Sequence, residues 1–129
     1  MADLLQTDWA GALARARTHA PFLALGLARQ PELEAMLVEG RGEQALVHAR
    51  AYSTGEDVGL ALRRERSALA VALAIGDLAG AFHLARVMHE LSDFADRSLE
   101  AAMAESIRRR VPDAGPGGFT ALALGKQGA

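Results

Sequence analysis

The sequence predicts an all-α helical bundle with one long C-terminal helix, and three observations lead to this fold class. Half of the residues are apolar, mostly alanine and leucine with few aromatics, which favours closely packed helices. Prolines and capping residues recur where short helices would begin. One long run of apolar residues with three-four spacing then precedes a segment rich in proline and glycine.

The first fifty residues predict four short helices. Asp8 caps the first, because its carboxylate can accept hydrogen bonds from the unpaired N–H groups of a first turn. Pro21 and Pro31 each suit the first turn of a further helix, where a missing N–H costs little. The third helix is expected to stop at Gly40 and the fourth near Tyr52.

Residues 54–57 predict the start of a fifth helix, with the Thr54 hydroxyl as its cap and acids near the positive end of the helix dipole. This helix begins charged, with three arginines and a glutamate at 63–66. It then becomes apolar on nearly all sides through Leu69, Val71, Leu73 and Ile75. A helix without a polar face must be surrounded by protein. We therefore expect it at the centre of the bundle.

The long helix is predicted over residues 83–111, about 40 Å at 1.5 Å per residue. Pro112 ends it. Opposite charges at i,i+4 are expected on its solvent face, each pair contributing a few tenths of a kcal/mol: Arg86 with Glu90, Asp93 with Arg97, and Glu105 with Arg109. The predicted apolar face comprises Leu84, Val87, Met88, Leu91, Phe94, Ala95, Leu99, Ala102, Met103 and Ile107.

The remaining residues differ in character from the predicted helices. Residues 112–118 predict a Pro/Gly linker after the helical segment 1–111, and 119–124 is the one plausible strand. Residues 125–128 follow it with Gly125, Lys126 and Gly128, where Lys126 is the chain's only lysine. Backbone N–H groups in such a turn can hold phosphate. Either the strand belongs to a sheet outside this chain, or residues 119–129 are a frayed terminus.

Composition argues against several function classes. A net charge of −2 gives no general attraction to nucleic acid or acidic lipid, and no cysteine is present for disulfide or thiolate chemistry. The longest apolar run, 68–75, is far shorter than the roughly 20 residues of a membrane span. The four histidines lack metal-site spacing, so no metal ligand is expected. The charged run 63–66 could contact phosphate, but an exposed helix start balanced by Glu56, Asp57 and Glu65 is preferred.

Six short motifs follow one another along the chain: HAPFL at 19–23, PEL at 31–33, LRRER at 62–66, ALAVALAIGDLAG at 68–80, LSDFAD at 91–96 and LALGKQGA at 122–129. Together they resemble the bacterial glutamine synthetase adenylyltransferase/adenylyl-removing enzymes. The similarity covers most of the chain in the family's order and is strongest from Leu62 onward. Three departures are a leucine at 124 where the family usually has methionine, Gln127 in place of an apolar residue, and Gly76 where alanine is more common.

The resemblance implies a parent nucleotidyltransferase that adenylylates glutamine synthetase with ATP and deadenylylates it by phosphorolysis, under control of a PII signalling protein. It implies that Gly125, Lys126 and Gly128 form the phosphate turn of the first nucleotidyltransferase domain, in the adenylyl-removing half. Two magnesium ions would be bound by an Asp-x-Asp pair on the next strand, which this chain lacks. A cytoplasmic location is expected.

Two hypotheses follow from the sequence. In the first, the chain is the N-terminal helical fragment of the adenylyl-removing half, has no catalytic residue or cofactor of its own, and is inactive alone. In the second, it is a free-standing helical module that binds another protein through the apolar face of the long helix. In either case the exposed part of that face could cause self-association.

Overall fold

A computed structural model describes residues 7–52 and 57–110, and all regular structure within these ranges is helical. The all-α prediction is therefore confirmed. The predicted linker 112–118 and the segment 119–129 lie outside the described residues. The six helices of the described ranges are α1 Trp9–His19, α2 Pro21–Arg29, α3 Pro31–Val38, α4 Gly42–Ala51, α5 Val58–Leu78 and α6 Leu84–Arg110.

The helix starts follow the capping signals of the sequence, with one difference. The Asp8 carboxylate accepts from the Gly11 N–H at 2.9 Å, and Pro21 and Pro31 occupy the first turns of α2 and α3. Helix α5 is capped by Asp57, whose carboxylate accepts from the Leu60 N–H at 3.0 Å. The prediction of Thr54 as this cap is wrong, because the helix begins at Val58 and an acid from the expected first turn takes the capping role.

Helix α5 lies at the centre of the bundle, as its sequence predicts. It packs against all five of the other helices, α1, α2, α3, α4 and α6. Leu69, Val71 and Ile75 are each at most 1% exposed. The surrounding short helices contribute mainly leucine and alanine to the same core, including Leu33, Leu37 and Leu46 at 0% exposure.

A tight turn between α5 and α6 explains Gly76, which the sequence marks as a departure from alanine. The backbone N–H groups of Ala81 and Phe82 both donate to the Gly76 carbonyl, at 2.8 and 3.2 Å. This brings the Phe82 ring onto α5, where a Cβ at position 76 would overlap it. Phe82 is 4% exposed and meets Trp9 edge to face, with ring centroids 6.2 Å apart. The glycine thus allows the aromatic contact from which α6 begins.

Helix α6 begins one residue after the predicted start, and it extends to the last described residue, Arg110. Its buried residues are few for its length, only Glu90 and Ile107. Within the described ranges, the helices are all too short or too polar to cross a membrane.

Candidate functional site: the outer stripe of helix α6

The predicted phosphate-turn residues Gly125, Lys126 and Gly128 lie outside the described residues, so their role stays a prediction. In the part of the chain that the structure describes, the surface of α6 departs most clearly from an ordinary helical bundle. It combines exposed apolar side chains with charged side chains that face the bundle.

An apolar row runs along the outer surface of α6 and is called here the outer stripe: Leu84, Met88, Leu91 and Ala95. These residues are spaced by four, three and four positions, so they share one helical face. Leu84, Met88 and Leu91 are 74, 55 and 42% exposed, and Ala95 is exposed as well. From first to last the stripe rises about 16 Å along the helix axis.

The ten positions of the predicted apolar face of α6 differ in burial. Five of them, the outer stripe and Ala102, are exposed. Val87, Phe94, Leu99 and Met103 are half-buried, and only Ile107 is buried, at 6% exposure.

A buried carboxylate on α5 accounts for this orientation. Glu65 is 0% exposed and lies on the packed face of α5. The Arg97 Nη1 atom of α6 is 2.8 Å from Glu65 Oε2. The two groups are thus at ion-pair distance, although neither Glu65 oxygen accepts a well-aligned hydrogen bond from the described residues. A buried carboxylate needs a cation, and α6 must turn its arginine inward to supply one.

Arg97 also holds Asp93 on its own helix. The Arg97 Nε–H donates to Asp93 Oδ2 at 2.8 Å, and the guanidinium lies 5.9 Å from the Phe94 ring centroid. Burial by itself lowers the pKa of Arg97, but its contacts with Asp93 and Glu65 outweigh that effect and raise the pKa. The guanidinium is thus firmly charged at the α5–α6 contact.

A second charged cluster ties α6 to α4. Glu90 is 7% exposed; Arg50 Nη1 donates to its Oε1 at 2.8 Å and Arg86 Nε donates to its Oε2 at 3.0 Å. Arg86 also donates two hydrogen bonds to Glu43 of α4, at 2.6 and 2.9 Å. The hydrogen bond from Arg86 holds the pKa of Glu43 below its ordinary value, and the bonds to Glu43 and Glu90 raise the pKa of Arg86.

All three ion pairs predicted on α6 are present, but two of them are not solvent pairs. Arg86–Glu90 and Asp93–Arg97 point toward α4 and α5, whereas Glu105–Arg109 stays at the surface. The sequence does contain a signal that charged side chains of α6 face α5. Glu65 falls between Ala61 and Ala68 in the three-four spacing of the buried face of α5. A carboxylate at such a position requires a basic partner from a neighbouring helix.

This arrangement is suited to contact rather than to chemistry. In the described ranges, no group of three or more histidine and carboxylate side chains is placed to hold a metal ion. The charged clusters are engaged in joining helices. The outer stripe, by contrast, is a contiguous apolar surface on a helix whose inner side is satisfied, and such surfaces on soluble proteins mark interaction sites.

Comparison with known proteins gives one curated relative. Neither a protein-family model nor a solved structure matches this chain. The relative is the bifunctional glutamine synthetase adenylyltransferase/adenylyl-removing enzyme of Caulobacter vibrioides, 35% identical over 138 aligned positions. The alignment includes 92% of this chain but only 14% of the length of the relative. The chain is therefore homologous to a short segment of a bifunctional glutamine synthetase adenylyltransferase/adenylyl-removing enzyme, and the match is consistent with a fragment of such an enzyme.

Proposed function

We propose that this chain is the N-terminal helical segment of the adenylyl-removing half of such an enzyme and has no activity alone. Two findings support the proposal: the similarity to the Caulobacter enzyme and the exposed outer stripe. The exposed stripe is the structural observation behind this proposal. A helix with its charges paired inside and its leucines outside lacks a partner on the outer side.

The partner in this proposal is the sheet of the nucleotidyltransferase domain. The outer stripe packs on that sheet, and the segment 119–124 supplies its first strand. Gly125, Lys126 and Gly128 then form the turn that holds phosphate at the strand's end, where main-chain N–H groups and an ammonium favour an anion. The charged clusters around Arg97 and Arg86 keep the helix that carries this strand in a fixed position on the bundle.

Ligands and partners follow from the parent enzyme in this proposal. The parent uses ATP, phosphate and magnesium, acts on glutamine synthetase in the cytoplasm, and responds to a PII signalling protein. Of the ligand site, the segment contributes only the phosphate turn. It binds none of these ligands without the remainder of the domain.

Phosphorolysis of adenylylated glutamine synthetase tests the proposed lack of activity. The chain is assayed beside a longer parent protein that includes the whole nucleotidyltransferase domain. We expect turnover from the parent and none above background from the chain. Substantial release of ADP by the chain alone would show that the proposal is wrong.

The role of the stripe is tested in the parent protein by Met88→Gln with Leu91→Gln. His89→Gln with Glu100→Gln is the matched control, since both of those residues are exposed and polar on the same helix. We expect the stripe variant to lower the midpoint of thermal unfolding of the parent by several degrees and the control to leave it unchanged. Equal midpoints for the two variants would mean that the stripe has no partner in the parent.

A second candidate function, a helical module that binds proteins through α6, is favoured by the same stripe. In the isolated chain we propose that the stripe pairs with a second copy. Light scattering should show a mass that rises with concentration, and Met88→Gln with Leu91→Gln should abolish the rise. A strict monomer at millimolar concentration would contradict self-association.

A further inference from the structure

We propose that a groove between α2 and α5 binds an acidic segment of a second protein that carries a large apolar side chain. The groove has a volume of about 540 Å³. One wall is the face of α2 with Phe22, Leu25 and Arg29, and the other is the N-terminal half of α5 with Arg63 and Arg64. No residue of α6 lines it, so the groove and the outer stripe can be occupied independently.

Three arginines without a carboxylate partner surround this groove. Eight arginines of the described residues form ion pairs with aspartate or glutamate. Of the five described arginines that do not, Arg29, Arg63 and Arg64 all line this groove. Among the described residues that line the groove, none is aspartate or glutamate.

The structure also changes the interpretation of the charged run 63–66. The sequence favoured an exposed helix start in which nearby acids balance the arginines. Instead, Glu65 points into the core and contacts Arg97, and Asp57 is used as the α5 cap. Glu56 lies outside the described residues. Within the described residues, no aspartate or glutamate forms an ion pair with Arg63 or Arg64, so these guanidinium groups are available to carboxylates from outside.

The groove offers an apolar anchor point as well as charge. Phe22 and Leu25 are 66 and 50% exposed, although both are large apolar residues. Below them, α2 and α5 approach closely at Gly26, where a Cβ would lie 2.6 Å from Val71 Cγ2. Gly26 therefore lets α2 lie close to the buried Val71, and both residues line the groove.

Composition and exposure favour a protein segment over a small molecule. The volume would suit a small ligand, but small-ligand sites bury most of the ligand surface, whereas Phe22 stands mostly in solvent. Arginine and aromatic residues are the types enriched at protein interfaces and at their energetic centres. Guanidinium groups also bind carboxylates in paired hydrogen bonds. An acidic segment with one leucine or phenylalanine would contact the apolar residues of the groove through that side chain and the arginines through its carboxylates.

A labelled peptide tests the proposal. The probe is a short fluorescent peptide in which glutamates flank a central leucine and phenylalanine, and its fluorescence anisotropy is followed as the chain is added. Arg63→Gln with Arg64→Gln should weaken binding at least about tenfold, which corresponds to about 1.4 kcal/mol. Phe22→Ala should weaken it as well, since this change removes an apolar contact but no charge.

The matched control is Arg108→Gln with Arg110→Gln, which removes the same charge from exposed arginines of α6, a helix that does not line the groove. It should leave affinity within about twofold, because exposed charges outside the groove act on the probe mainly through screened long-range attraction. Absence of probe binding, or equal weakening by both double variants, overturns the proposal. So does unchanged affinity when the peptide's leucine and phenylalanine are alanine. Displacement of the probe by tripolyphosphate from the Phe22→Ala variant as readily as from the original chain would identify a simple anion site instead.

Discussion

The two long helices α5 and α6 distribute apolar and charged residues in opposite ways. Helix α5 buries apolar side chains on nearly all sides and includes one buried charge, Glu65. Helix α6 has a much clearer amphipathic sequence pattern, yet it turns Arg97 and Glu90 inward and Leu84 and Met88 outward. The comparison shows that the apolar stripe of a helix need not be its buried face when a neighbouring helix carries a buried charge.

The orientation of α6 follows from two free-energy costs, that of exposing a leucine to water and that of leaving a buried carboxylate without a cation. Leaving a leucine in water forgoes about 1.5–3 kcal/mol of transfer free energy. Leaving a buried carboxylate without its cation costs about 3–5 kcal/mol, and two charged clusters act along α6. Facing the arginines inward is therefore preferred, and the apolar stripe remains for another partner.

The largest expected effect concerns the Glu65–Arg97 contact. Arg97→Ala should lower the free energy of unfolding by about 3–5 kcal/mol, because Glu65 stays buried without its cation. Urea unfolding measures the change. The combined change Glu65→Leu with Arg97→Met should recover most of the loss, since it removes both charges. As a control, Arg109→Ala breaks an exposed pair with Glu105 and should cost at most about 0.5 kcal/mol. If Arg97→Ala and Arg109→Ala lowered the free energy of unfolding equally, the inner and outer ion pairs of α6 would not differ in strength and the comparison would be wrong.

Two leucines, one buried on α5 and one exposed on α6, test the comparison from the apolar side. Leu69→Ala in α5 should cost about 2–5 kcal/mol, because the removed side chain is 1% exposed and leaves a cavity. Leu91→Ala in α6 should change stability by less than about 0.5 kcal/mol in the monomeric chain, since Leu91 is 42% exposed. Both are measured by urea unfolding at a protein concentration where light scattering shows monomers. A loss of more than about 2 kcal/mol for Leu91→Ala would place the outer stripe in the core.

The smallest expected effect concerns the turn that joins the two helices. Gly76→Ala should destabilise the chain, although alanine is the better helix former. The gain of up to about 1 kcal/mol in helix propensity is exceeded by about 1–3 kcal/mol of overpacking against Phe82. Gly59→Ala is the control, because a Cβ there meets only the Asp57 carboxylate at an ordinary 3.6 Å. We expect it to be neutral or slightly stabilising in thermal unfolding. If Gly76→Ala stabilises as well, Phe82 does not require the glycine.

Local signals in the sequence were sufficient to predict most of the helices, but not to predict how the helices pack on one another. Asp8, Pro21 and Pro31 located three helix starts, because capping and proline effects act within one turn. Gly40 ends α3 with a positive φ of 74°, as its position predicts. The α5 cap was misplaced by three residues, because Thr54 and Asp57 are both good caps and only the packed helix selects one.

The candidate surfaces could be predicted only in part. The apolar row of α6 is visible in the sequence, but its exposure depends on Glu65, far away along the chain. The groove between α2 and α5 has no sequence motif, since it joins Phe22 to Arg63 through helix packing. The spacing of Glu65 indicates a buried position, but nothing local to residues 63–66 shows that Arg63 and Arg64 form no ion pair within the described residues.

By itself, the sequence determined the fold class, four of the six helix starts to within one residue and the central place of α5, because apolar spacing and capping are local properties of the chain. Only the tertiary structure decided which side of α6 is buried, why position 76 is glycine, and which arginines form ion pairs with the described acids. Those outcomes depend on contacts between residues distant in sequence, where a buried charge or an aromatic ring outweighs local preference.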